Sequence, residues 1–182
     1  GLYQHYKAIN DNTNLPIIIY NIPSRCVIDM SVDTMARLFE LKNIAGVKDA
    51  TGDPNRIDAT LKKLGPDFIQ LTGEDGFALE FNKRGGVGII SVTANIAPKL
   101  CSDFQNYSKS ETDNEIKEAE RIDQILQPIH KSLFIESNPA PVKYAAKLLG
   151  LCGDEIRLPL VKIKKETENH VKKALLAAKL LS

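Results

Sequence analysis

The sequence has few of the residues that build metal sites and disulfide frameworks. Its 182 residues include three cysteines and three histidines, which are widely separated, and no CxxC spacing occurs. An odd number of scattered cysteines argues against a disulfide framework or a zinc site and fits reduced thiols in a cytosol. We therefore expect a cytoplasmic protein with no bound metal.

An excess of charge of one sign is also lacking, as is any long apolar run. The net charge is +1 at pH 7, so nothing indicates electrostatic capture of nucleic acid or of an anionic lipid surface. The longest apolar stretches, residues 15–20 and 87–92, have the length of strands and are too short to cross a bilayer. No basic segment followed by an apolar one, as in a secretion signal, occurs at the start. We expect neither a nucleic-acid partner nor a membrane.

What the sequence does contain is an alternation of strand and helix patterns. Predicted strands lie at 17–20, 43–48, 67–72 and 87–92. A predicted amphipathic helix follows each of them, which implies βαβ crossovers and a parallel sheet. The β-branched run in the first strand suits a strand that is buried on both faces.

This α/β pattern allows two architectures. The four units could form a small doubly wound sheet or half of an eight-stranded (β/α)8 TIM barrel. The chain begins at Gly1 in what reads as the tail of a helix, so we expect the later part of a longer protein, which favours the barrel half. We predict that residues 1–113 are the second half of the barrel and that residues 114–182 are a C-terminal helical region.

Reactive side chains follow the predicted strands. In either architecture, function gathers at the carboxyl ends of parallel strands. A lysine amine that is withdrawn from water loses the solvation that favours its charged form and can attack a carbonyl. A tyrosine hydroxyl can relay protons, and an arginine can grip a carboxylate with two hydrogen bonds. The residues at these positions are Tyr20, Arg25, Lys48, Gly73, Glu74 and the segment 91–95.

Each of these residues also has an ordinary interpretation. Lys48 could be a solvated lysine at a strand end, Tyr20 could place its hydroxyl in water, and Arg25 could form a weak surface ion pair. The glycines at 85, 86 and 88 lack a phosphate-loop spacing and suit a tight turn from helix to strand. The occurrence of tyrosine, arginine and lysine at successive strand ends nevertheless favours a joint chemical role.

Four motifs then point to a known family. They are "YNIPSR" at 20–25, "GVKDATG" at 46–52, "GGVGIISVTAN" at 85–95 and "NPAPVKYAAKLLG" at 138–150. In this order they closely resemble the dihydrodipicolinate synthase family of the class I pyruvate aldolase superfamily, and the resemblance covers essentially the whole chain. It implies a (β/α)8 barrel with extra C-terminal helices, of which this chain would supply roughly strands five to eight. It also implies condensation of pyruvate with aspartate semialdehyde to 4-hydroxy-tetrahydrodipicolinate, the branch step toward diaminopimelate and lysine.

The resemblance further implies a role for each site residue. Lys48 would form a Schiff base with pyruvate, so that no separate cofactor is needed, and Tyr20 would shuttle protons. Arg25 would bind the carboxylate of the semialdehyde. The main-chain carbonyl of Ile90 would lie against the bound pyruvate, and Gly73 would shape the pocket near the lysine. The family resemblance also suggests a homotetramer built from tight dimers.

The sequence departs from the family pattern at two positions and lacks two of its elements. Cys26 stands where threonine is common, and Asp49 stands where glutamate is common. The family's Gly-Thr-Thr segment, which binds the pyruvate carboxylate, and a second tyrosine from a neighbouring subunit belong to the N-terminal half. Tyr107 lies on a later predicted helix and does not replace that tyrosine.

Two alternative functions stay open. One is another pyruvate-dependent aldolase, such as N-acetylneuraminate lyase or a keto-deoxy-sugar-acid aldolase. Those enzymes share the lysine and the tyrosine but usually not an arginine at the position of Arg25. The other is a catalytically silent half barrel that acts as an assembly or regulatory module.

Overall fold

In the computed structural model, which describes residues 1–181, the chain separates into two compact units, and the second begins at Ser91. The first unit alternates strands and helices, as predicted. Its elements are α1 (Leu2–Asp11), β1 (Ile17–Asn21), α2 (Pro23–Cys26), α3 (Val32–Phe39), β2 (Ile44–Asp49), α4 (Pro54–Leu64), β3 (Ile69–Thr72), a 3-10 turn (Asp75–Phe77), α5 (Ala78–Lys83) and β4 (Gly88–Ile89).

The strands form one parallel sheet in the order β1-β2-β3-β4. Tyr20 pairs with Lys48, Lys48 with Leu71, and Leu71 with Gly88. Residues in register on parallel strands project from the same face, so these pairs define one face of the sheet near its carboxyl edge. The predicted parallel α/β architecture is confirmed.

The two faces of this sheet differ in burial. Ile19 of β1 and Val47 of β2 are buried in a core that also holds Met35 and Leu38 of α3. On the opposite face the side chain of Tyr20 is 46% exposed. The expectation that β1 is buried on both faces was therefore wrong for this chain, because four strands make only part of the wall that would enclose the inner face of a closed barrel.

Capping residues fix where the helices around β2 begin. The hydroxyl of Ser31 accepts the N–H of Thr34 at 3.2 Å at the start of α3. The carboxylate of Asp53 accepts the N–H of Asn55 at 3.0 Å, and Pro54 occupies the first turn of α4. Both starts agree with the sequence, because an N-cap side chain satisfies an otherwise unpaired helix N–H and proline suits the first helical position.

The fourth strand is shorter than predicted. Its ladder continues for one residue beyond Ile89, because the N–H of Ile90 donates to the carbonyl of Thr72 at 3.1 Å. The chain then turns, since the hydroxyl of Ser91 accepts the N–H of Ala94 at 2.9 Å. A serine that caps a turn competes with strand pairing, and apolar content alone does not reveal it.

The second unit is helical. Its elements are a 3-10 turn (Thr93–Asn95), α6 (Pro98–Tyr107), α7 (Asp113–Leu133), α8 (Ala140–Leu148) and α9 (Lys165–Ala177). Helix α7 packs against α6 and α9, and its buried side chains include Ile122, Leu126 and Ile129. None of the helices in the described part of the chain is long and apolar enough to span a membrane.

An ion-pair cluster follows α8 in this unit. Lys147 and Lys162 lie 2.9 Å and 3.1 Å from the two carboxylate oxygens of Asp154. Their hydrogen bonds lower the pKa of Asp154 to about 2, because they stabilise its ionised form.

Candidate active site

Lys48 and Tyr20 meet at the carboxyl edge of the sheet. They are register partners on β2 and β1, so both side chains project from the less covered face. The Lys48 Nζ lies 4.0 Å from the centroid of the Tyr20 ring, within the range of an amine–aromatic contact. Two residues that are distant in sequence are thereby placed in direct contact.

Gly73 has no side chain, and the stem of Lys48 lies close to where one would be. Its N–H donates to the carbonyl of Asp49 at 2.7 Å, which holds the end of β3 against the end of β2. A Cβ added at Gly73 would lie 3.0 Å from the Lys48 Cε and 2.9 Å from the Cβ of Ala50. Both distances are shorter than an ordinary carbon–carbon contact. Any side chain at this position would therefore push on the lysine stem.

The other two predicted site residues lie on the segments that follow β1 and β4. Arg25 is exposed on α2, and its backbone N–H donates to the carbonyl of Ile22 at 3.0 Å. Ile90 directly follows β4 and bonds to Thr72, the residue before Gly73. The structure therefore brings Tyr20, Lys48 and Gly73 together at the ends of β1, β2 and β3. It places Arg25 after β1 and Ile90 after β4, the two outer strands of the sheet.

A carboxyl group faces this cluster from the end of β3. Glu74 is exposed as a residue, but partial desolvation of its carboxyl group raises its pKa. The carboxylate of Asp75 raises this pKa further, whereas the charge of Lys48 lowers it. Its backbone N–H donates to the Thr72 hydroxyl at 3.0 Å. Sequence analysis placed Glu74 at a strand end but assigned it no role.

Helix α1 carries a second tyrosine, Tyr6, which packs against the hydrophobic core of the first unit. Burial raises the pKa of Tyr6, a hydrogen bond with the backbone of Tyr20 lowers it, and Cys26 raises it. Sequence reasoning missed this residue, because only its place in a helix was visible.

Asp49, which follows Lys48 in β2, points to the opposite, helix-facing side. Its carboxylate forms an ion pair with the Arg56 Nε at 2.7 Å. Nothing in the sequence around Asp49 indicated a salt-bridge partner, since Arg56 reaches it only because α4 folds back over the sheet. Within residues 1–181, no group of three or more histidine, cysteine, aspartate or glutamate side chains could hold a metal ion.

The fold and these groups define a class of protein: a parallel α/β protein with a lysine amine and a tyrosine at the strand ends, where carbonyl chemistry through a Schiff base is feasible. The sequence pattern of the dihydrodipicolinate synthetase family matches residues 1–178. The chain belongs to this family.

Relatives with curated names agree with this assignment. The chain is 72% identical to 4-hydroxy-tetrahydrodipicolinate synthase of Pelagibacter ubique and 51% identical to that of Parvibaculum lavamentivorans. Each match covers 100% of this chain and 62% of the relative. The chain thus spans less than two thirds of the length of these relatives.

Solved structures agree as well. Dihydrodipicolinate synthase from Aquifex aeolicus is 39% identical with a TM-score of 0.93, and the match covers 99% of this chain and 61% of that one. The chloride-inhibited enzyme from Acinetobacter baumannii, complexed with pyruvate, is 42% identical with a TM-score of 0.93, covering 100% and 61%. These enzymes are (β/α)8 barrels, so the predicted fold is confirmed: the four strands form part of such a barrel.

Proposed function

We propose that this chain supplies the Schiff-base centre of a 4-hydroxy-tetrahydrodipicolinate synthase, a lyase that condenses pyruvate with aspartate semialdehyde in lysine and diaminopimelate biosynthesis. The observation that carries the proposal is the contact between the Lys48 amine and the Tyr20 ring at adjacent strand ends. Family membership supports it, as do the names of the relatives. The names of these relatives do not favour a sugar-acid aldolase.

Lys48 is the nucleophile in the proposed first step. Its unprotonated amine attacks the ketone carbon of pyruvate, and the carbonyl oxygen takes up a proton to give a carbinolamine. A second proton converts this hydroxyl into water, which leaves as the imine forms. The Tyr20 hydroxyl moves protons between the amine nitrogen and the departing oxygen. No separate cofactor is needed, because the lysine itself forms the covalent link.

The second step uses the remaining groups. Loss of a methyl proton from the imine gives an enamine, whose carbon attacks the aldehyde carbon of aspartate semialdehyde. The aldehyde oxygen takes up a proton and becomes the hydroxyl group, and the imine to Lys48 forms again. Arg25 binds the carboxylate of this substrate through paired hydrogen bonds. The substrate amine then attacks the imine carbon, which closes the ring and returns the amine to Lys48. The carbonyl of Ile90 lies against the pyruvate, and Gly73 keeps the space around the lysine open.

The proposal includes the assembly and location that family resemblance suggests. We infer a cytoplasmic homotetramer that is built from tight dimers. Light scattering on a protein that also contains the missing barrel strands would give the mass of the assembly. A monomer that is active would contradict the tetramer without affecting the chemistry.

The experiment is reductive trapping with pyruvate and sodium borohydride, followed by intact mass and peptide mapping. It is run on this chain and on an extended protein, in which the chain follows the preceding part of the Pelagibacter ubique relative. We expect a pyruvyl adduct on Lys48 in the extended protein, and turnover when aspartate semialdehyde is added. The control is Lys63→Arg, which changes an exposed lysine on α4 that is paired with Asp33.

The outcomes separate the alternatives. An adduct only in the extended protein means that the second half of the barrel does not suffice. If the extended protein traps pyruvate and turns over N-acetylneuraminate or a keto-deoxy-sugar acid, but not aspartate semialdehyde, its function is that of another pyruvate-dependent aldolase. No adduct in either protein would refute the Schiff-base mechanism.

A further inference from the structure

A buried polar network lies on the helix-facing side of β1 and β2, behind the residues that carry the proposed chemistry. Its centre is the carboxylate of Asp49, which accepts the Arg56 Nε at 2.7 Å and the Asn21 Nδ2 at 3.2 Å. The backbone N–H of Thr51 donates to the same carboxylate at 2.9 Å, and so does its hydroxyl. The side chains of Asp49 and Arg56 are 12% and 13% exposed, so the pair is largely withdrawn from water.

The network extends to the far end of residues 22–30, the loop that includes the single-turn helix α2 and carries Arg25. The N–H of Met30 donates to the Asn21 Oδ1 at 3.0 Å, and the Arg56 guanidinium donates to the Met30 carbonyl oxygen. Asp29 accepts the Asn21 Nδ2 at 2.9 Å and lies 3.3 Å from an Arg56 terminal nitrogen. Both backbone polar groups of Met30 are therefore held by side chains of the network.

The loop needs such an anchor because its middle is exposed and strained. Val27 has a φ of +63°, a left-handed conformation that is unfavourable for a β-branched residue. Its side chain is 92% exposed, so packing there does not hold the conformation. Val27 ends α2, and its N–H donates to the Pro23 carbonyl at 2.9 Å. The contacts at Asn21 and Met30 hold the two ends of the loop around this turn.

We propose that Asp49 and Arg56 are positioning residues that set the loop carrying Arg25, and thereby the recognition of the carboxylate of the second substrate. The inference rests on the proposed function, because that function assigns the aldehyde acid to Arg25. Neither residue of the pair touches substrate, since both lie behind the sheet. The guanidinium of Arg56 donates hydrogen bonds to Asp49, Asp29 and the Met30 carbonyl oxygen at the same time. A lysine ammonium cannot reproduce this planar arrangement of donors.

The test is steady-state kinetics of Arg56→Lys in the extended protein, with pyruvate and aspartate semialdehyde varied separately. We expect the KM for aspartate semialdehyde to rise about tenfold, the effect of weakening one hydrogen bond to a charged group. The KM for pyruvate and the rate of borohydride trapping on Lys48 should stay within about twofold of the parent, because that half-reaction does not use Arg25. The matched control is Arg84→Lys, which changes a paired arginine on the surface beside α5.

Three further substitutions keep the test decisive. Asp29→Asn changes a half-exposed partner of Arg56, so it should fold even if Arg56→Lys does not, and it should raise the same KM by a smaller factor. A double-mutant cycle of Arg56→Lys with Arg25→Ala should be non-additive in that KM, because the first residue is proposed to act through the second. Asp49→Glu keeps the charge and should retain most of the affinity.

A selective rise in the KM for aspartate semialdehyde with a non-additive cycle supports the inference. Equal losses with both substrates, no change in either, or an additive cycle would overturn it. If the extended protein without substitutions fails to trap pyruvate, the proposed function itself is refuted. If that protein turns over both substrates and the variants have the same kinetics, only the positioning role of Asp49 and Arg56 is refuted.

Discussion

Replacement of Gly73 by alanine tests whether the free space beside Lys48 is required for the chemistry. The new Cβ would lie 3.0 Å from the Lys48 Cε and 2.9 Å from the Ala50 Cβ. This approach to the lysine is tighter than an ordinary carbon–carbon contact, so the lysine stem must retreat by a few tenths of an ångström. A misplacement of about 1 Å at a reacting group can lower the rate by about 100-fold.

The assay is the rate of pyruvyl adduct formation on Lys48 under borohydride trapping in the extended protein. We expect Gly73→Ala to slow it by about 10-fold, because the displacement is only a fraction of the roughly 1 Å that lowers a rate by about 100-fold. The clash with Ala50 should also lower the free energy of unfolding by about 1–3 kcal/mol, the usual cost of overpacking. Urea denaturation measures that second effect separately.

The control is Lys63→Arg, which changes an exposed lysine on α4 that is paired with Asp33. It should leave both the trapping rate and the urea midpoint unchanged. A folded Gly73→Ala variant that traps pyruvate at the parent rate would refute the reasoning, because the lysine would then tolerate the displacement or lie elsewhere during reaction.

Three further predictions concern other groups. Tyr20→Phe keeps the ring beside Lys48 but removes the hydroxyl, so trapping should slow by about 100-fold or more, the usual contribution of a proton-transfer group; a parent-like rate would exclude Tyr20 as the relay. Glu74 has a raised pKa in the folded state, so its ionisation opposes folding above that pKa. Glu74→Gln should therefore raise the urea midpoint at pH 8 and lose this advantage as the pH falls, whereas a pH-independent gain would contradict the burial argument. The pKa of Asp154 is lowered to about 2, so its charge stabilises the fold above its unfolded pKa, and this contribution is lost as the pH falls toward 2. Asp154→Asn should lower the melting temperature at pH 7 and by less at pH 3, and an equal deficit at both would contradict the ion-pair explanation.

The strand ends were predictable because local signals mark them. The apolar run before Tyr20 and the short run before Lys48 end where polar residues and turns begin, and parallel strands bring such ends to one edge. Ser31 and the Asp53-Pro54 pair likewise marked helix starts, since capping depends on neighbouring residues only. These signals sufficed to place Tyr20 and Lys48 at the ends of successive strands, whereas their register and contact come from the structure.

The scaffold behind these residues could not be predicted in the same way. The pairing of Asp49 with Arg56 depends on how α4 crosses the sheet, which is a tertiary property. β1 is buried on one face only, because the strands that would close the barrel over its other face are not part of this sheet. The early end of β4 depends on the hydroxyl of Ser91. In each case a distant or competing contact overrides what the local pattern indicates.

The side chains of Lys48 and its neighbour Asp49 project from opposite faces of β2, toward Tyr20 and toward Arg56. Two different functions are therefore assigned to consecutive residues. An insertion or deletion of a single residue within β2 would exchange them, because side chains alternate strictly along a strand. The amine would then enter the layer of Arg56, where it would meet a guanidinium, and a carboxylate would stand beside the Tyr20 ring. The length of this strand is therefore under as tight a constraint as the identity of the lysine, and changes in chain length are tolerated only in the loops on either side.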